Sequence, residues 1–244
     1  MLLEVCVNSA VSAIEAQKGG ADRVELCENL HDGGTTPSCG SISCARKHLS
    51  IGLFVMIRPR GGDFLYSKDE FEIMKEDIRV AKELGADGVA FGILLPDGGI
   101  DVPRMKELVC LAKPMAITCH RAFDMTLDPF NAMEKLIGLR VDRILTSGQQ
   151  KTASEGTELI RELIIRAQNR IIIMPGCGVK EHNIVSLASQ TGATEAHIHL
   201  DKREPSRMKF RQSSVNMGAP DQNEFECIIT DWEKIRNIRK TIDY

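Results

Sequence analysis

Leu84-Gly85-Ala86-Asp87-Gly88-Val89-Ala90 closes an amphipathic run and opens an apolar one. A glycine at that point tolerates the left-handed backbone that ends a helix, and the small or β-branched residues after it begin a short buried strand. The same phase returns at Gly19-Gly20-Ala21-Asp22-Arg23-Val24-Glu25, at Leu139-Arg140-Val141-Asp142-Arg143-Ile144-Leu145 and at Thr191-Gly192-Ala193-Thr194-Glu195-Ala196-His197. One such junction carries little weight. Four in matching phase mark a repeating βα unit.

Working outward, strands are expected at residues 2–7, 23–27, 53–57, 88–92, 115–119, 143–146, 170–174 and 195–199. Ser67 and Glu70 form a capping box ahead of Phe71, Met74, Ile78 and Ala81, which share one helix face. Asp128-Pro129 supplies an N-cap and an N1 proline, and Leu159, Ile160, Leu163 and Ala167 stripe another helix. Eight strands alternating with helices over 244 residues predict an α/β fold, a single (β/α)8 TIM barrel over 1–244. In such barrels the site lies at the carboxyl ends of the strands. An open doubly wound sheet is the other arrangement, but its Gly-x-Gly-x-x-Gly nucleotide-cofactor motif is absent. Residues 202–223, rich in Arg, Lys and Ser and lacking periodicity, predict a long loop, and a last helix is expected near 231–242.

Apolar residues make up 43% of the chain and charged ones 27%, enough for a large core under a hydrated surface. Only 5% are aromatic, so the apolar mass is aliphatic, as for parallel strands covered by helices. A net charge of −3 gives no nucleic-acid or membrane-surface signal. No apolar run approaches the ~20 residues of a membrane span, and no secretory segment precedes the first strand. Eight cysteines without a Cys-x-x-Cys pair suggest reduced thiols in the cytosol.

The third strand ends in Ile57-Arg58-Pro59-Arg60-Gly61-Gly62-Asp63-Phe64. Two guanidiniums beside a core must be paired or solvated, so this strand end is a candidate site. Strand alternation puts Glu4 with Cys6 on one face, and Glu25 with Cys27 on one face. If both faces point into the barrel, neighbouring strands about 4.8 Å apart present two thiols, which suit a soft ion such as Cu(I) or Zn(II). Buried cysteine packing as a small hydrophobe is the plainer reading. The fifth strand ends in His120-Arg121-Ala122-Phe123-Asp124, and the eighth carries Glu195 and His197. Catalytic candidates are therefore His120, Glu25, Glu195, His197, Arg58 and Asp124. The alternative is a structural salt-bridge network, with Arg58 paired to a glutamate such as Glu25. Ser147, Gly148, Gly176 and Gly178 lie in glycine turns that hold phosphate in many barrels, and Arg58 and Arg60 could clamp such an anion. The eight strands contain no lysine, against a Schiff-base mechanism, and no nucleophile elbow appears.

Glu4-Val5-Cys6, Gly20–Cys27, Gly33-Gly34-Thr35-Thr36-Pro37-Ser38, Ile57–Phe64, His120–Met125, Leu145–Gly148 and Met208-Lys209-Phe210-Arg211 together resemble the CutC copper homeostasis family. The likeness runs in order along nearly the whole chain, and the phrases at 33–38 and 54–67 resemble animal members. It implies a (β/α)8 barrel, a homo-oligomer (dimer or tetramer), in the cytoplasm and also the nucleus. It also implies copper tolerance, with Cu(I) held by the thiols of Cys6 and Cys27. Where family members have Cys or Ser after the histidine matching His197, this sequence has Ile198 and then His199. The second function open at this point is a barrel enzyme acting on a small anionic or phosphorylated substrate.

Overall fold

A computed structural model describes residues 1–212, 214–215, 217 and 223–242. Eight parallel strands form one sheet: β1 Leu2–Val7, β2 Arg23–Leu26, β3 Gly52–Met56, β4 Gly88–Phe91, β5 Ala116–Cys119, β6 Arg143–Thr146, β7 Ile172–Pro175 and β8 Glu195–Ile198. Their order, β7-β6-β5-β4-β3-β2-β1-β8, brings β8 round against β7 and nearly closes the barrel. The helices are α1 Ala10–Gly19, α2 Cys39–His48, α3 Lys68–Glu83, α4 Val102–Ala112, α5 Pro129–Gly138, α6 Thr157–Ala167, α7 Ile184–Thr191 and α8 Trp232–Ile242. The chain thus folds as a single-domain (β/α)8 TIM barrel.

The repeated junction has a double physical basis. Gly20, Gly85 and Gly192 follow α1, α3 and α7 with φ of 97°, 82° and 80°, the left-handed cap that glycine adopts without strain, and Arg140 takes the same region after α5. The aspartate that follows is a lock. Asp22, Asp87 and Asp142 accept hydrogen bonds from the backbone N–H of Leu3 (2.7 Å), Leu53 (2.8 Å) and Ile117 (2.8 Å) on neighbouring strands. Their own N–H groups donate back to the carbonyls of the same three residues. Each lock pins register at the amino end of a strand pair.

Outward strand residues such as Leu3, Val5, Val24, Leu53 and Ile117 join helix residues such as Ala16, Ile42, Met74, Ile78 and Leu108 in one buried core. The capping box of α3 is present, with Ser67 Oγ accepting from Glu70 N and Ser67 N donating to Glu70. The stretch expected as loop from 202 behaves differently. It starts within a strand, β9 Asp201–Pro205, antiparallel to β10 Glu226–Thr230, and positions 213, 216 and 218–222 of it lie outside the described residues. The hairpin docks on α1 through Thr230 N to Ser12 Oγ (3.1 Å), and α8 packs beside it.

Candidate active site and metal centre

The barrel interior is built in layers by strand register. Glu4 lies opposite Arg23, Leu2 opposite Glu195, and Cys6 opposite Glu25 one step higher. In the lower layer Arg23 bridges Glu4 and Glu195 (2.7 Å to the latter), and Arg143 reaches Glu195 at 3.0 Å. Both guanidiniums lie over the Phe54 ring, at 4.7 and 5.2 Å. A salt-bridge network therefore fills the barrel, but Arg58 is not its cation. Arg23 and Arg143, absent from the sequence candidates, hold those places; the period-2 rule that puts Glu25 with Cys27 on one face puts Arg23 there too, and Arg143 shares a face with the cavity-lining Leu145.

Above that layer a cavity of about 210 Å³ opens at the carboxyl ends, lined by Cys6, Glu25, Cys27, Leu30, Gly33, Met56, Arg58, Phe64, His120, Arg121, Leu145 and His197. Cys6 Sγ and Cys27 Sγ lie 3.8 Å apart, both buried, with Met56 and Leu30 packed against them. Cys27 Sγ is 3.5 Å from Glu25 Oε2, and Cys6, Glu25 and Cys27 each offer a ligand atom within 4.8 Å of the others. His197 donates from Nδ1 to Glu4 Oε1 at 2.7 Å, and its Nε2 is 3.8 Å from Glu25 Oε2.

These groups set one another's charge. The hydrogen bond from Cys27 draws the Cys6 thiol well below its ordinary value, against burial, with His197 and His199 assisting. The same bond, together with burial, holds the proton on Cys27. Cys6 is thus the more acidic thiol of the pair and Cys27 the less acidic. Burial favours neutral His197, but its bonds to Cys6 and Glu4 and the charge on Glu25 outweigh that, so it is imidazolium. Burial would likewise raise Glu4, yet His197 and Arg23 hold it at about 2. Glu25 goes the other way, pushed to about 8 chiefly by burial, with His197 opposing and the charges of Cys6 and Glu4 adding to the rise. His120 falls to about 3 through burial and the nearby Arg58.

The anion clamp expected from the sequence takes a different form. Arg58 donates to the carbonyls of Asp32, Gly34 and Gly62, not to Glu25, and so ties two loops together. Arg60 is engaged by Glu70, Asp63 and Leu65. The turn after β6 does hold an anion, but it is Asp124: its carboxylate accepts from the N–H of Ser147 (3.0 Å) and Gln149 (3.2 Å), while Gly148 N donates to Thr146 Oγ1. Asp124 is thereby placed as a turn anchor, salt-bridged to Arg121 at 2.8 Å. Gly176 donates to Thr146 O, and a Cβ there would stand 3.2 Å from His197 Cβ; Gly178 has φ 73°. Packing and backbone geometry account for both glycines. Glu195 lies in the lower layer, away from the cavity lining, whereas Glu25, His120, His197 and Arg58 converge on the cavity.

The perturbed groups predict a specific pH response. The lowered values of His120 and Glu4 contribute stability above their ordinary values of 6.5 and 4.5, lost as pH falls through those windows toward about 3 and about 2. The raised Glu25 loses stability as pH rises from 4.5 to about 8, and the raised His197 as pH rises beyond 6.5. Between 4.5 and 6.5 His120 and Glu25 oppose each other. Lowered Cys6 adds a gain with rising pH below its ordinary value of 9.0, so the wild-type profile sums all these groups. The difference isolates His120: relative to wild type, His120→Gln should lose stability as pH rises from about 3 to 6.5 in denaturant titrations, and a difference that does not change with pH would refute the assignment.

The CutC family model matches residues 1–202. A CutC family protein of Parabacteroides distasonis is 52% identical over 237 residues, covering 96% of this chain and 98% of that protein. The human copper homeostasis protein cutC homolog is 49% identical over 238 residues, covering 97% and 87%. The likeness to animal members is thus present, and bacterial relatives match to a similar degree. The solved structure of CutC from Streptococcus agalactiae superposes with a TM-score of 0.78 at 37% identity, covering 81% of this chain and 97% of that one. A phosphoribosylanthranilate isomerase from Thermotoga maritima, at 13% identity and TM-score 0.58 over 100% of this chain and 98% of that one, shares the fold alone. By sequence and by architecture, this chain belongs to the CutC family.

Proposed function

We propose that the protein binds Cu(I) through Cys6 and Cys27 as part of copper homeostasis. The observation that carries this reading is the pair of sulfurs, 3.8 Å apart inside the mouth of the barrel. Thiolate is a soft ligand that favours Cu(I) over Mg or Ca, and the lowered value of Cys6 eases its loss of the proton. The Met56 side chain packed beside the pair keeps the surroundings apolar. The names of the human and mouse relatives point to the same role. All eight cysteines are free, which fits a reducing cytosol or nucleus, and no helix among the described residues is long and apolar enough to cross a membrane. A homo-oligomer, dimer or tetramer, completes the proposal and is read by analytical ultracentrifugation.

The test is an anaerobic Cu(I) titration of reduced protein against a chromogenic competing chelator. Binding should release protons, because a thiol must be deprotonated to ligate and Cys27 is held to its proton by burial and its bond to Cys6. Calorimetry in buffers of different ionisation enthalpy counts them, and affinity should weaken as pH falls. Failure to compete with the chelator, or binding without proton release, would exclude this site.

A further inference from the structure

Among the described residues, every adjacent pair of helices around the barrel packs closely except α4 and α5, which leave a groove of about 700 Å³ between them on the outer face. Val102, Val109 and Leu139 supply apolar lining, and Lys106, Lys113, Lys135 and Arg140 line it as well. No carboxylate does. The acids of the same helices are turned to other neighbours: Glu107 pairs with Lys75 of α3 at 3.1 Å, and Glu134 with Arg170 at 2.7 Å. Lys113 is paired with Asp142 at 3.5 Å, but Lys106, Lys135 and Arg140 have no carboxylate partner among the described residues. Lys113, Lys135 and Arg140 sit at the carboxyl ends of α4 and α5, on one side of the barrel, whereas Val102 opens α4 on the other. The groove therefore has a charged end and an apolar end. It shares no lining residue with the mouth of the barrel.

We propose that this groove binds a free long-chain carboxylate, its head at Lys135 and Arg140 and its alkyl tail running along α4 past Val109 toward Val102. Charge complementarity sets the head: unpaired cations beside apolar surface attract an anion that carries an apolar body. The side chains that line the groove narrow the rest. They include no aromatic ring to stack on a nucleobase, and no amide, hydroxyl or carboxylate to read a sugar or an ammonium group. What they offer is aliphatic surface and positive charge. At roughly 30 Å³ per heavy atom, as for water, a groove of about 700 Å³ admits about twenty heavy atoms, room for a chain of about twelve to sixteen carbons. A single chain can enter such a recess between two helices, whereas a bilayer surface cannot follow it. Gly138, the last residue of α5, lies on the open side: a Cβ added there meets no atom within 4 Å, although the residue lines the groove.

The experiment titrates the reduced, metal-free full chain with octanoate, decanoate and dodecanoate by calorimetry, each below its micellar concentration. Cys110, an exposed thiol within the groove, is footprinted in parallel with iodoacetamide and mass spectrometry. Dodecanoate should bind once per chain, roughly tenfold tighter than decanoate, and decanoate tighter than octanoate by the same factor, because each step buries two more methylenes. At roughly ten times its Kd, dodecanoate should slow labelling of Cys110 about tenfold. Labelling of Cys39 and Cys44 on α2, which are also exposed, should stay as it was. Lys135→Gln/Arg140→Gln should weaken dodecanoate about tenfold. Gly138→Phe should abolish binding by filling the groove, and circular dichroism verifies that both variants fold. The chain-length series and the footprint stand without them. No wild-type binding, affinity indifferent to chain length, binding that leaves Cys110 labelling unchanged, or full binding to folded Gly138→Phe each overturns the proposal. So does a Cys110 that is shielded without dodecanoate and uncovered on dilution, because a second copy of the chain would then occupy the groove.

Discussion

Arg23→Met is expected to lower the free energy of unfolding by about 3–5 kcal/mol, the cost of leaving buried charge uncompensated. Arg23 is 5% exposed and bridges Glu4 of β1 to Glu195 of β8, with its own charge reinforced by both. Methionine roughly fills the stem that packs against Gly52 and Phe54, so the loss isolates the guanidinium. Glu4 would then rely on His197, and Glu195 on Arg143. Urea denaturation measures the change. The control is Arg79→Ala on the surface of α3, where an exposed i,i+3 pair with Glu76 should be worth only about 0.2–0.5 kcal/mol. Equal costs for the two substitutions would mean that the internal network does not hold the barrel together.

Cys6→Ser/Cys27→Ser should abolish high-affinity Cu(I) binding, weakening it by roughly a thousandfold or more, beyond the 10–100-fold of a lost outer-shell partner. Serine preserves shape and hydrogen bonding, so the fold is expected to survive, as circular dichroism will verify. The hydroxyl is a hard, protonated ligand at neutral pH, and proton release on binding should vanish with the thiols. Met56→Leu tests specificity, since it keeps the apolar wall but removes the neighbouring thioether, and it should alter affinity far less. A folded double variant with wild-type affinity would move copper elsewhere on the protein.

The barrel was legible because its signals are local. Glycine caps, the aspartate that follows them and short aliphatic runs recur within seven-residue windows, and each has a structural counterpart. Inward faces were legible by alternation, which brought Cys6, Glu25, Cys27 and His197 to one cavity. Partners were not. The carbonyl cage around Arg58 and the amides around Asp124 come from loops whose paths depend on tertiary packing, so a charged strand end looked like an open anion site. The β9–β10 hairpin escaped for another reason. Asp-Lys-Arg-Glu-Pro is charged and mostly exposed, and such an edge strand shows no apolar alternation.

The aspartate locks have a consequence for how such a protein can change. Asp22, Asp87 and Asp142 grip their neighbours at the amino ends, while the cavity lies at the opposite rim. Threading of the barrel and composition of its mouth are thus governed by separate residues. A loop at the rim can lengthen, shorten or exchange its side chains without sliding a strand past its neighbour. Mutational drift at the mouth is insulated from foldability, so one scaffold can trial new ligands while its frame stays fixed.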